Sequence, residues 1–186
     1  MQTFASFLNL SLGALVVVAN LLSLGILLCL ASPRARESRF ARFFSKNSLL
    51  VAFVASLAAT LGSLAYSDII GYEPCKLCWF QRIFMYPQVL IFGIALWRKE
   101  PFVRLYGLVL SILGALVALF HYLGQVGVNP LGLDCLAVGY SASCAKNFVL
   151  TFGYVTIPMM ALSAFVLMSL ALTLSLKADK ASAPSL

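Results

Sequence analysis

Five long apolar runs dominate this sequence of 186 residues, of which 62% are apolar and only 10% are charged. A soluble domain of this length is about half apolar and about a quarter charged. Each run reaches or approaches the roughly 20 residues that a helix needs to cross about 30 Å of hydrocarbon. The runs are 7–31, 49–67, 77–97, 102–123 and 155–176.

These runs restrict the fold because a chain inside lipid has to satisfy its own backbone N–H and C=O groups. An open sheet cannot do so, and the runs show no two-residue alternation. We therefore predict an all-α polytopic membrane protein with five transmembrane helices. Pro158 is expected either to kink the last helix or to mark its start. The polar residues 177–186 are expected to be disordered.

The net charge of +7 comes mainly from basic residues on one side of the predicted membrane. Ten of the 13 lysines and arginines fall between runs one and two, between runs three and four, or after run five, whereas Lys76 and Lys146 lie in the opposite loops. This bias places the N-terminus and the loops 68–76 and 124–147 outside, and the C-terminus in the cytoplasm. The basic residues are expected to contact membrane lipid, and no nucleic-acid partner is expected.

Small residues recur four apart in the second run and at similar spacing in the fourth. Such patterns let transmembrane helices approach each other closely, so both runs are predicted to pack tightly. The residues are Ala55, Ala58, Ala59 and Gly62 in the second run, and Gly107, Ser111 and Gly114 in the fourth.

A Cys-x-x-Cys pair, Cys75 and Cys78, stands where the third run begins. Pro74 suits the first turn of a helix, because its missing N–H is not needed there. The helix dipole places about half a positive charge near both sulfurs, which is expected to lower the thiol pKa. Since the thiolate is the species that attacks a disulfide, the pattern favours a reducible, redox-active pair.

A second pair, Cys135 and Cys144, lies in the loop 124–147, the only predicted soluble segment large enough to meet a protein partner. The eight residues between these cysteines are rich in Gly, Ser and Ala. The spacing predicts either a second redox pair or a disulfide that staples the loop.

Two further residues stand out in or near the spans. Arg82 follows Cys78 by four residues, so it shares that helix face about 6 Å deeper. A cation in a span usually has a polar partner, and a quinone carbonyl, the Cys78 thiolate or a lipid headgroup would each serve. His121, the only histidine, lies near the end of the fourth run. It is either an interfacial hydrogen-bonding residue or part of the site.

Zinc bound by four cysteines is the chemical alternative. Structural zinc sites usually combine two tightly spaced cysteine pairs, whereas the second pair here is spaced by eight residues. We therefore expect no metal. The non-enzymatic alternative is a membrane scaffold that contains zinc or structural disulfides.

The segment Pro-Cys-Lys-Leu-Cys-Trp-Phe-Gln-Arg-Ile-Phe-Met-Tyr-Pro at 74–87 resembles the signature of the DsbB/BdbC family of quinone-dependent membrane thiol oxidoreductases. The resemblance covers about 49–176. It implies a four-helix catalytic bundle at 48–176, followed by a cytoplasmic tail at 177–186. The N-terminal helix and basic loop at 1–47 lie outside the family's four-helix pattern. A quinone reductase of the vitamin K epoxide type is disfavoured, because its loop cysteines precede the Cys-x-x-Cys.

The family's chemistry implies a role for each cysteine. Cys135 would form a mixed disulfide with a DsbA-like thioredoxin-fold oxidase, and the released Cys144 would attack Cys75. Cys78 would then be left as a thiolate. The implied setting is the bacterial cytoplasmic membrane, with the cysteines on its outer side.

The resemblance also implies a quinone, either ubiquinone or menaquinone, that passes electrons to the respiratory chain. Arg82 would polarise a quinone oxygen beside the Cys78 thiolate, and His121 would lie at the mouth of the quinone pocket.

Overall fold

A computed structural model describes residues 2–128 and 148–182, and within these ranges the protein is built from helices. Five helices are long and apolar enough to cross a membrane, which confirms the predicted all-α polytopic class. The elements are α1 (Gln2–Ala31), α2 (Pro33–Arg36), α3 (Arg39–Lys46), α4 (Ser48–Leu64) with a π-helical extension (Ala65–Ile69), α5 (Lys76–Arg98), α6 (Val103–Gln125) and α7 (Ile157–Ser182).

The start of the last helix agrees with one of the two expectations for Pro158, whereas its C-terminal end differs from expectation. Pro158 is its second residue, so it marks the helix start, where a missing N–H is tolerated. At the other end α7 continues to Ser182, and the expectation of disorder from residue 177 is wrong for this part. An ion pair between Asp179 of α7 and Arg104 of α6 joins the two helices there. Residues 183–186 lie outside the described ranges.

The basic segment between the first two spans contains the short amphipathic helix α3. Ser38 caps it, accepting a hydrogen bond from the backbone N–H of Ala41 at 3.1 Å. Ala41 and Phe44 are buried, and α3 packs against α7. The bundle therefore has a basic end, where α1 and α5 finish, and a cysteine end, where α5 begins.

The prediction that small residues let the fourth run pack tightly is confirmed in α6. An added Cβ at Gly107 would overlap the ring of Phe92, and one at Gly114 would overlap the ring of Phe165. Both phenylalanines are fully buried. The two glycines thus let large rings from α5 and α7 lie directly against the α6 backbone.

The small residues of α4 pack against neighbouring helices on one side and line a cavity on another. The helix α1 packs along α7 and approaches α4 near the cysteine end, where Leu12 lies over Gly62. Further down, Ala55, Ala58 and Ala59 line a cavity on the side of α1. Ala55 and Ala59 also pack against buried residues of the core, and α4 packs against α5 and α7, which agrees with the predicted close approach.

We expect Gly114→Ala to destabilise the protein by about 1–3 kcal/mol, since overpacking costs this much in a dense core. The loss should appear even though alanine has the better helix propensity by about 1 kcal/mol. The thermal unfolding midpoint in detergent measures it. Gly93→Ala is the matched control, because its added methyl would lie 3.3 Å from the Phe53 ring. An unchanged midpoint for Gly114→Ala would contradict the packing described.

Candidate redox site

The Cys-x-x-Cys pair forms the start of α5. Cys75 is the N-cap residue, and its sulfur accepts a hydrogen bond from the backbone N–H of Cys78 at 3.3 Å. Pro74 therefore lies one residue before the cap, not in the first turn as predicted. The two sulfurs are 3.0 Å apart. A disulfide bond is about 2.05 Å long, so small side-chain rotations would close it.

The two sulfurs have unequal environments. Cys75 is only 2% exposed, whereas Cys78 is partly exposed. Cys78 lines two neighbouring cavities, and Cys75 lines only the smaller one. Cys78 is therefore the cysteine of the pair that borders both cavities.

His121 of α6 lies inside the site and is 1% exposed. Its Nε2 is 3.7 Å from the Cys75 sulfur, and its Nδ1 is 3.1 Å from Nε2 of Gln81. The Gln81 side chain therefore holds the His121 ring against Cys75. His121 thus joins the cysteine pair and lines the smaller cavity rather than the larger one.

Gln81 was missed by the sequence reasoning. It is a polar residue in an apolar run, three positions after Cys78, and it is 5% exposed. A buried amide needs a partner, and this requirement was the available signal. The identity of that partner depended on how α5 packs against α6.

The pKa of the Cys75 thiol is raised from its ordinary value of 9.0 to about 12. The hydrogen bond with Cys78 is the main cause, burial adds to it, and the contact with His121 acts in the opposite direction. The expectation that the helix dipole would lower this pKa is therefore wrong for Cys75. A neutral thiol hydrogen-bonded to its neighbour and removed from water outweighs the dipole.

Arg82 has its polar partner on the neighbouring helix α4. Its Nε donates to the Ser63 hydroxyl at 3.0 Å, and an Nη donates to the Ser63 carbonyl at 3.2 Å. The Tyr86 hydroxyl donates to the same Ser63 hydroxyl at 3.2 Å. The guanidinium also lies 5.2 Å from the centre of the Trp79 ring. Ser63 was not among the site residues predicted from the sequence.

The larger cavity has a volume of about 480 Å³ and lies between α1, α4, α5 and α7. It is lined mainly by apolar side chains, with Cys78, Arg82 and Ser63 among its few polar residues. The smaller cavity, of about 50 Å³, lies toward the cysteine end and includes Cys75 and His121. We call them the apolar cavity and the polar crevice.

The loop cysteines Cys135 and Cys144 lie outside the described residues, as does most of the predicted loop. The segments that flank residues 129–147 both reach the polar crevice, which Gln125 and Phe148 line. The Phe148 ring stacks on Tyr72 with centroids 4.9 Å apart. Both flanks of the loop therefore meet at the cysteine end of the bundle.

Cys75, Cys78 and His121 also form a possible metal-binding group, with ligand atoms within 4.8 Å of one another. A structural zinc site needs a fourth ligand. No other cysteine, histidine or carboxylate joins this group in residues 2–128 and 148–182. The zinc interpretation would therefore need a ligand from outside these ranges.

Five helices of membrane-spanning length, with a close cysteine pair at the start of one of them, define a multi-pass membrane protein with a redox-capable dithiol. A sequence profile of the family "Disulfide bond formation protein DsbB" matches residues 45–175. The chain belongs to this family, whose role is disulfide bond formation. The resemblance inferred from residues 74–87 is confirmed.

Individual relatives agree with the family match. The chain is 44% identical over 121 residues to a probable disulfide formation protein C of Bacillus cereus, covering 64% of this chain and 84% of the relative. It is 41% identical over 132 residues to the disulfide bond formation protein C of Bacillus subtilis, covering 71% and 94%. A probable disulfide formation protein of Metapseudomonas resinovorans is 38% identical over 127 residues, covering 68% and 87%. No solved structure matches the chain.

Replacing Cys78 with alanine should lower the pKa of Cys75, because the main cause of its elevation is removed. His121→Ala should raise the pKa further, since the His121 contact acts to lower it. The measurement is the pH dependence of alkylation of reduced Cys75, followed by mass spectrometry, with Cys29, Cys135 and Cys144 replaced by serine. If the pH midpoint of Cys75 alkylation were the same in both variants and in the parent protein, the contacts assigned to Cys75 would be contradicted.

Proposed function

We propose that this protein re-oxidises an extracytoplasmic DsbA-like thioredoxin-fold thiol oxidase and transfers the electrons to membrane quinone, either ubiquinone or menaquinone. The observation that carries the proposal is the position of Cys78, which lines both the polar crevice and the apolar cavity. One sulfur thus adjoins a protein-facing space and a space suited to an apolar ligand. The volume of about 480 Å³ is typical of small-molecule sites.

Electrons enter in this proposal through the loop pair. The partner's dithiol is oxidised as the Cys135–Cys144 disulfide is reduced, with Cys135 forming the mixed disulfide. The thiolate of Cys144 then attacks the Cys75 sulfur of the Cys75–Cys78 disulfide, and Cys78 leaves as the thiolate. Cys135 next attacks Cys144 in the Cys144–Cys75 disulfide, which forms the loop disulfide again and releases Cys75 as a thiol. The meeting of both loop flanks at the polar crevice supports this step, since Cys75 opens only to that crevice.

Electrons leave through Cys78. A quinone bound in the apolar cavity would accept two electrons and two protons in total. These electrons are released when Cys75 loses its proton and bonds the Cys78 sulfur, which closes the disulfide again. Nε2 of His121 lies 3.7 Å from the Cys75 sulfur, and this contact favours the thiolate formed in that step. His121 is thereby assigned to the cysteine pair.

Arg82 supplies the positive charge at the end of the apolar cavity. Two of its five N–H donors are used at Ser63, and the guanidinium is held between two helices. It is suited to stabilise negative charge on a quinone oxygen and on the Cys78 thiolate. Ser63 is the residue that positions Arg82.

Aromatic residues support the proposed span of α5 across the bacterial cytoplasmic membrane. Trp79 and Trp97 of α5 are both exposed and lie about 27 Å apart along the helix, given a rise of about 1.5 Å per residue. Tryptophan prefers the two membrane–water interfaces. The basic end would face the cytoplasm, and the cysteine end would face outward.

Cys78→Ser should abolish reduction of a short-chain quinone by a reduced DsbA-like protein. The expected loss is complete, because no thiolate remains to pass electrons on. Absorbance of the quinone follows the reaction in detergent-purified protein. Cys29→Ser is the matched control, since Cys29 is buried with Ile26 and Phe44 at the basic end.

Two outcomes would contradict the proposed function. The first is equal turnover in wild type and Cys78→Ser. The second is an inactive wild type, tested with both quinone classes, that contains one equivalent of zinc. The second result would favour the scaffold reading.

Ser63→Ala should reduce quinone turnover by about tenfold or more, because hydrogen bonds to charged groups contribute about 1.5–3 kcal/mol. Disulfide exchange with the partner, measured in a single turnover without quinone, should stay unchanged. Ser56→Ala is the matched control, since Ser56 is a buried serine of α4 that bonds the Phe53 carbonyl. In an Arg82→Ala background, Ser63→Ala should have no further effect. An additional loss there would mean that Ser63 does not act through Arg82.

A further inference from the structure

We propose that the N-terminal helix α1 forms one wall of a channel that holds the isoprenoid tail of the quinone. The inference rests on the proposed function, and it gives a role to a helix outside the matched family region, which begins at residue 45. The occupant is a linear polyisoprenoid chain whose oxygen-bearing ring lies at the cysteine end.

The apolar cavity is long and has different ends. Cys78, Arg82 and Ser63 line one end, and Phe43 and Phe44 line the other. On α4 the lining runs from Leu50 to Ser63, which corresponds to about 20 Å at a rise of about 1.5 Å per residue. This shape suits a ligand with a polar head and an extended apolar chain.

The walls between these ends are chemically suited to a hydrocarbon chain. One wall is the row of small residues on α4 described above. The opposite wall is an apolar surface of α1, formed by Leu12, Leu15, Val16, Val18, Ala19 and Leu22. Burying an isoprenoid chain between them would remove apolar surface from contact with lipid and water and fill space that the helices leave open.

A polar group without a partner supports a ligand with an oxygen at the cysteine end. Ser163 of α7 lines the cavity and is 3% exposed, and its hydroxyl has no hydrogen-bond partner within the described parts of the chain. Ser163 lies six residues into α7, and Arg82 lies six residues after the start of α5. The two side chains therefore start from similar depths, and a ligand oxygen at this level would satisfy the buried hydroxyl.

The position of α1 gives this space its second wall. Near the cysteine end, the Tyr66 hydroxyl donates to the Asn9 side chain at 2.8 Å. Gly13 lies against Thr151 and Phe152, within about 3 Å of where its Cβ would be. These contacts hold α1 to the bundle at the cysteine end. The middle of α1 packs on α7 and leaves a gap beside α4.

Ala19→Phe tests the proposal by filling the gap from α1. Ala14→Phe is the matched control, because Ala14 is exposed on the same helix and does not line the cavity. The readouts are the long-tailed ubiquinone or menaquinone extracted from purified protein, and the affinity for the same quinone added to stripped protein. Turnover with a tail-less quinone of the same ring is measured in parallel.

We expect Ala19→Phe to bind the long-tailed quinone at least about tenfold more weakly, equivalent to about 1.4 kcal/mol. Its effect on turnover of the tail-less quinone should be smaller than its effect on long-tail binding, and Ala14→Phe should match wild type in both assays. If Ala19→Phe fails to fold, Val18→Trp replaces it, with Leu21→Trp as control. Val18 lines the cavity at 51% exposure, and Leu21 is 65% exposed and does not line it.

Other outcomes separate the two proposals. Equal long-tail affinity in wild type and both phenylalanine variants would overturn the role of α1 and leave the proposed function intact. Phospholipid in place of quinone in the extracted wild type, with turnover of the tail-less quinone retained, would overturn the isoprenoid occupant. If the wild-type protein neither binds nor reduces any quinone, the proposed function itself is overturned.

Discussion

The placement of one cation inside a membrane-spanning helix is the constraint on which the site depends. A guanidinium in a span is costly unless polar groups surround it. Here the hydroxyl and the carbonyl of Ser63 both accept from Arg82, and Tyr86 orients the hydroxyl. This contact joins α4 to α5 and marks the end of the apolar cavity. Cys78, one helical turn before Arg82, therefore lies at the boundary between a polar and an apolar space.

The unequal environments of the two sulfurs follow from the same geometry. Cys75 caps the helix, so its sulfur is held by the backbone N–H of Cys78 and by its contact with His121. Cys78 lies within the first turn and opens to both cavities. The pKa of the Cys75 thiol is raised, mainly by its hydrogen bond with Cys78. This asymmetry agrees with the proposed order of electron transfer.

The parts of the structure that were predictable from sequence are those set by local composition. Each apolar run became a helix, because hydrophobic length determines spans without reference to neighbours. The tight packing at Gly114 was also predictable, since a missing side chain permits close approach wherever the partner lies. The contacts of Gln81 and Ser63 were not predictable, because they depend on which helix faces which. The pKa of Cys75 was predicted in the wrong direction for a related reason, since burial and a neighbouring thiol are tertiary effects.

The helix α1 shows how a segment outside the family's bundle can bear on the site without supplying a reactive group. Its Asn9 bonds to Tyr66, which lies in the π-helical end of α4. Tyr66 stacks on Tyr72, and Tyr72 stacks on Phe148, where the described chain resumes after residues 129–147. A π-helical turn is less regular than an α-helical one and often occurs at functional sites. In the proposed arrangement, a chain seated between α1 and α4 would press on helices joined by this contact, so the filling of the apolar cavity and the position of the loop flank would share one connection through Tyr66.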